Sequence, residues 1–570
     1  MIPVVFDNCR GWLHTGSSRR GVIICGAHGF EDLCARSSLR LLAEELSSRG
    51  IPTLRFDWRG TADSEGDGEA PHRVATWLGN VGEAAQKLVE MTDVDEIVLV
   101  GLRLGALLAL EAARDIAPAR LVLLAPPASG RALKRELEIM SRIFQGKPGA
   151  AEDAGFDGVS AAGFRISRET LDDLALVSSR RFSGAKDCAT LVLTQSPDGS
   201  PLADKLRDMG ANVTVEPFDG YAEMMCDPTA ALPPAKAIER IVDFASAEMS
   251  SRPERSAEPA SGMPPPPAVL ATHLWREEAA QFGPENRLVG VFCERAAGER
   301  RASAVVFLNS GGVYHIGWAR MFVDMARHLA ESGVASLRMD LSGVGDSLSP
   351  AGPDRAPLYK DSLTRDVAAA IDWLEARGIR DVSLFGACSG AYQAFHAAIH
   401  DRRVNKIALV NQICFVYGPT YAMQVEAWRR TKAADVSMKL AAANAPAEGE
   451  PKGARALLFS LAKKAVKAGL VHATDATFAV RRRVPGLNSV ERWFGELSAR
   501  GAEVLLVYSE NDPGIAELER HLGERSRAGT PLPGVRKAMI ADADHELTPK
   551  AARKALSDTL DAFVAGRNAA

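Results

Sequence analysis

Short, uninterrupted apolar runs alternate along this chain with stretches in which apolar residues return every three or four positions. GVIICGAHG (Gly21–Gly29) and SAVVFLNSGG (Ser303–Gly312) are runs suited to strands covered on both faces. LRLLAEELSSRGIP and ARMFVDMARHLAESGVA follow them, each with helical spacing that ends at a small-residue turn. The charged turns TLRFDWRGTADSEG (Thr53–Gly66) and SLRMDLSGVGDSLS (Ser336–Ser349) match in turn. So do two strands that run into tight glycine turns, EIVLVGLRLGALLALEAA (Glu96–Ala113) and DVSLFGACSGAYQAFHAA (Asp381–Ala398). Late strands match as well, in ATLVLTQSPDG (Ala189–Gly199) and AEVLLVYSENDPG (Ala502–Gly514). Five elements recurring in one order predict an α/β fold written twice, each copy a mostly parallel sheet flanked by helices.

Between the copies lies SSRPERSAEPASGMPPPP, whose one large apolar residue is Met263 and which ends in four prolines. It predicts a semi-rigid spacer. The domains are therefore read as residues 1–249 and 269–570, with a linker at 250–268.

Composition narrows the classes. The 570 residues are 46% hydrophobic and 25% charged, which excludes a mainly disordered chain. A net charge of -4 gives no long-range pull toward nucleic acid. Mean hydropathy is -0.07, and no apolar stretch is long enough to span a membrane. The first residues, MIPVVFDNCRGWLHTGSSRR, lack the basic and apolar regions of a signal peptide, so a cytoplasmic location is expected. None of the eight cysteines falls in a CxxC pair or a zinc-type cluster, and no metal is expected. GVGDS at Gly343 lacks the full dinucleotide pattern and no GxxxxGK[ST] is present, so no cofactor is expected either.

One cysteine stands apart. Gly386-Ala387-Cys388-Ser389-Gly390 follows the strand VSLF and precedes a helix, the context of a nucleophile elbow. Glycines two residues either side of Cys388 relieve a turn that side chains would block. Downstream, Asp512 follows a buried strand in VLLVYSENDPG, and His545 precedes the last helix in MIADADHELTP. The order nucleophile, acid, histidine predicts Cys388 as nucleophile, His545 as general base and then acid, and Asp512 as its orienter. Asp542 and Asp544 are alternative acids, although both crowd His545 in sequence.

With these motifs the second half resembles an α/β-hydrolase with Cys where Ser is usual, and the two tandem domains are expected to be α/β-hydrolase folds. The resemblance runs to serine-aminopeptidase-like or lysophospholipase-like hydrolases, including those found with bacterial exopolysaccharide systems. Dienelactone hydrolases are similar in using a Cys elbow. The resemblance implies that the Ser389 N–H donates to the oxyanion, with a second donor from the loop Asn309–Val313, where Gly311 and Gly312 are the candidates. It also implies a helical cap inserted at about 415–500, with Ser129–Asp187 as its counterpart in the first half. Within the cap, RALLFSLAKKAVKAGL and Arg481-Arg482-Arg483 read as a cap helix with a solvated basic face. Peripheral membrane association or an acyl-carrier partner is the alternative use of such a helix.

In the first half the same positions hold other residues. The elbow reads Gly101-Leu102-Arg103-Leu104-Gly105, and a guanidinium cannot attack a carbonyl. Asp198 occupies the acid slot and Tyr221 or a neighbour the histidine slot, while His28 matches a loop position. The first half is thus expected to be a degenerate domain, with anion binding by Arg103 as an alternative. For the whole chain the reading is a cysteine-dependent esterase or thioesterase forming a thioester acyl-enzyme, with a small-molecule or carrier-bound acyl substrate. An acyltransferase with the same triad, in lipid, polyketide or polysaccharide assembly, and a non-catalytic binding protein are the other readings.

Overall fold

The computed structural model describes residues 1–145, 155–177, 188–196, 199–247, 268–298, 302–349, 358–419, 421–429, 489–523 and 534–566. The basic stretch expected in the cap, most of the expected linker, and Asp198 lie outside them.

The apolar runs become strands. In the first domain β1 (Ile2–Phe6), β2 (Cys9–His14), β3 (Arg20–Cys25), β4 (Thr53–Phe56), β5 (Glu96–Leu102) and β6 (Arg120–Leu124) come before a small hairpin. That hairpin is β7 (Gly158–Ala161) with β8 (Phe164–Ser167); β9 (Ala189–Thr194) and β10 (Val213–Pro217) complete the main sheet. The order across it is β1-β2-β4-β3-β5-β6-β9-β10, parallel from β4 to β10. Val22, Ile23, Val98, Leu99 and Val100 have no accessible surface, because helices cover both faces.

The second domain begins with β11 (Val269–Ala271), β12 (Trp275–Phe282) and β13 (Leu288–Arg295). It continues with β14 (Ser303–Leu308), β15 (Ala335–Asp340), β16 (Asp381–Ala387), β17 (Val404–Val410), β18 (Glu503–Ser509) and β19 (Val535–Ile540). Its order, β11-β12-β13-β15-β14-β16-β17-β18-β19, repeats the first sheet with one strand added at the edge. Two α/β domains of one topology make up the chain.

Register makes the equivalence specific. Cys25 on β3 lies opposite Gly101 on β5, and Leu308 on β14 lies opposite Gly386 on β16. Arg103 and Cys388 thus occupy one position in two copies. Between β6 and β9 the first copy inserts helices Gly130–Gln145 and Arg168–Leu176 with the hairpin; between β17 and β18 the second inserts a helix at 421–429 and helix Ser489–Ala499.

The domains meet through buried charge as well as apolar contact. Arg338, in the middle of β15, donates to Asp63 of the first domain at 2.8 Å, and Arg55, at the matching place on β4, donates to Asp346 of the second at 3.0 Å. Arg36 joins Asp57 at 2.5 Å and Asp346 at 2.7 Å. Glu277, fully buried, accepts from Arg338 and from Arg327. Charges so deeply buried persist only when paired and hydrogen-bonded on several sides, which is the case here. Around them Leu33 and Ala62 of the first domain pack on Val313, Tyr314 and Ile316 of the second.

Candidate active site

The elbow comes first. Cys388 takes φ 53° and ψ -114° between the end of β16 and helix Ser389–His400. Left-handed backbone is costly for a side-chain-bearing residue and persists only where its surroundings enforce it. The flanking glycines permit it: a Cβ on Gly386 would stand 2.1 Å from Gly390 O, and one on Gly390 would stand 2.5 Å from Asn309 O. The Cys388 N–H donates to Val410 O at 2.9 Å, tying the turn to β17. Cys388 is partly exposed, whereas the other seven cysteines are buried.

Asp512 begins helix Pro513–Leu522 and does two jobs at once. Its Oδ1 accepts the Gly514 N–H at 2.8 Å as a helix cap, and its Oδ2 lies 2.6 Å from His545 Nδ1. The Cys388 side chain is the other group that acts on the His545 ring. Burial lowers the His545 pKa, but Cys388 and Asp512 outweigh it and leave the imidazolium favoured well above its ordinary range. The fold therefore brings together Cys388, His545 and Asp512 from three loops at the carboxyl ends of β16, β18 and β19. The alternative acids lie elsewhere: Asp544 accepts the Thr548 N–H and hydroxyl at 2.7 Å each, and Asp542 is exposed.

Asn411 and Ser509, which sequence reasoning missed, hold this arrangement. Asn411 Nδ2 donates to His545 O at 2.8 Å and to Ser509 Oγ at 2.9 Å, while Ser509 Oγ donates to Asp544 O at 2.8 Å. Ser509 ends β18 and Asn411 directly follows β17, and a polar residue at the end of an apolar run was the available signal.

The three residues expected at the oxyanion are adjacent. Ser389 is the first residue of its helix, where N–H groups have no partner within the helix. Gly311 N–H donates to Ser389 Oγ at 2.9 Å, and Gly312 N–H donates to Thr229 Oγ1 of the first domain at 3.1 Å.

Residues 305–557 match the family model described as alpha/beta hydrolase family, and residues 18–153 match that of serine aminopeptidase, S33. Both domains have the α/β-hydrolase fold. The family models place the chain among hydrolases. A search of the curated proteins finds no match. Among solved structures, the chain is similar to Est1E from Butyrivibrio proteoclasticus with ferulic acid bound, at 18% identity and a TM-score of 0.32 over 43% of this chain and 96% of that one. It is also similar to a serine hydrolase homologue from Coxiella burnetii, at 12% identity and a TM-score of 0.29 over 54% and 100%. A dienelactone hydrolase from Anabaena variabilis matches at 14% identity and a TM-score of 0.28 over 50% and 93%.

The elbow of the first domain has the same shape with arginine at its centre. Arg103 takes φ 55° and ψ -113°, nearly the values at Cys388. Its guanidinium donates from Nε to Glu31 at 2.7 Å and from Nη1 to Ala125 O at 3.2 Å, and it pairs through Nη2 with Glu136. Two carboxylates already answer its charge. Tyr221, in the histidine slot, is buried beside it. His28 sits against Trp77, and burial pushes its imidazole down to about 4.

Among the described residues no helix is long and apolar enough to cross a membrane, and no His, Cys, Asp and Glu cluster could hold a metal.

Proposed function

We propose that the protein is an acyl hydrolase of ester or thioester bonds whose second domain works through Cys388, His545 and Asp512. The observation that carries this reading is the 2.6 Å contact between His545 Nδ1 and Asp512, on a ring whose charge is also favoured by a cysteine on a strained elbow. Asp512 fixes the ring and favours its charged form. A histidine so placed takes the thiol proton, and the thiolate is the attacking species.

The sulfur adds to the acyl carbon, and the carbonyl oxygen becomes an oxyanion that accepts from the Ser389 N–H and from a donor in the Asn309–Val313 loop. Collapse expels the alcohol or thiol, which leaves with the proton held by His545, and Cys388 remains as a thioester. Water then attacks that thioester, His545 taking its proton and returning it to the sulfur as the acid is released. An amine or alcohol in place of water would give transfer by the same steps.

Cys388→Ala should abolish turnover of p-nitrophenyl esters and acyl thioesters while the protein keeps its fold. Equal rates in wild type and variant on every acyl donor would overturn the reading.

A further inference from the structure

The loop leaving β14 is gripped at five places, and three grips come from the first domain. Asp340 holds Asn309 at 2.8 Å and Ser389 holds Gly311 at 2.9 Å from within the second domain. Thr229 accepts from Gly312 at 3.1 Å, Asp32 accepts from the Tyr314 hydroxyl at 2.7 Å, and Asp63 meets His315 Nε2 at 2.6 Å, all across the domain boundary.

Of the three grips from the first domain, that of Thr229 falls on Gly312, a residue expected at the oxyanion. The Thr229 N–H donates to Asp227 Oδ1 at 2.9 Å, which sets its orientation. The loop is pressed against this segment without room for a side chain. A Cβ on Gly312 would stand 2.1 Å from Pro228 O, and one on Gly311, at φ 60°, would stand 2.3 Å from Thr229 Oγ1. The Gly312 N–H lies in the Gly311–Gly312 peptide and the Gly311 N–H in the Ser310–Gly311 peptide before it. The two planes meet at the Gly311 Cα, so fixing the Gly312 N–H leaves only the Gly311 φ and ψ to turn the Gly311 N–H. The Gly311 N–H is the one aimed at the residue following Cys388.

We propose that Thr229 is a positioning residue of the first domain: by holding the Gly312 N–H it anchors the loop just after Gly311, so that the Gly311 N–H faces the Cys388 elbow. A domain whose own nucleophile position is filled by arginine thereby completes the site of its neighbour. The inference rests on the Cys388 reading and adds a role for the first domain.

The test compares full-length wild type with Thr229→Val, which keeps shape and removes the acceptor, and Thr229→Ser, which keeps the acceptor. Two readouts apply: steady-state hydrolysis of an acyl thioester, and amide hydrogen exchange of the peptide spanning 309–317. T229V should exchange faster at Gly312 and lose about 10- to 100-fold in kcat with KM little changed, since a displaced donor costs transition-state stabilisation more than binding. T229S should restore both. Unchanged exchange or unchanged kcat in T229V, or a T229S as impaired as T229V, would overturn the proposal. Failure of the Cys388 reading would show differently, as wild-type activity that survives Cys388→Ala.

Discussion

His315 stands fully buried between two carboxylates, with Nε2 2.6 Å from Asp63 across the domain boundary and Nδ1 2.8 Å from Asp340. Both ring nitrogens face acceptors, an arrangement that only the doubly protonated imidazolium satisfies. Burial lowers its pKa, but Asp63 and Asp340 outweigh that and push it up to about 10. In the unfolded chain the value returns to about 6.5. Between these limits the folded protein keeps a proton that the unfolded chain has released, so stability falls as pH rises. The contribution is complete below about pH 6.5 and lost as pH passes 10. At about 1.4 kcal/mol per pH unit the ceiling is about 5 kcal/mol, a large fraction of the roughly 5–15 kcal/mol that stabilises a domain. Urea unfolding of wild type and His315→Gln, followed by tryptophan fluorescence from pH 6 to 10, tests this. The gap between the two proteins should be widest at the acid end and close toward pH 10. A gap that stays constant across the range would refute a charged His315.

Asp512→Asn keeps the size of the side chain but removes the charge that orients His545. It should lower kcat by about 10³- to 10⁴-fold in an ester hydrolysis assay, with the fold unchanged by circular dichroism. Arg103→Ala should act on stability and leave acyl hydrolysis intact: Glu31 would be left without its partner, at a cost of about 3–5 kcal/mol in denaturant unfolding.

Much of this architecture was legible because parallel strands covered on both faces must be continuously apolar, and GVIIC, SAVVFL, EIVLV and VLLVY are. The elbows were legible because the turn tolerates only glycine two residues either side of its centre. Asp512 was legible by its place after a strand, although its double use as cap and histidine partner was not. Contacts between the copies were out of reach of periodicity: Thr229 and Gly312 are 83 residues apart, and Asp63 and His315 are 252 apart. A trace existed all the same. Arg55 and Arg338 sit mid-strand in TLRF and SLRM, where a charge in a covered sheet requires a buried partner. In both cases one such partner lies in the other domain, Asp346 for Arg55 and Asp63 for Arg338.

The central claim is that Cys388 carries the acyl group, and the most direct test is intact-protein mass spectrometry after brief exposure to an acyl thioester and acid quench. The account predicts a mass increase of one acyl group, mapped to the peptide containing Cys388, removed by neutral hydroxylamine and absent in Cys388→Ala. No adduct on the wild type, or an adduct on Ser389 that persists in Cys388→Ala, would contradict it.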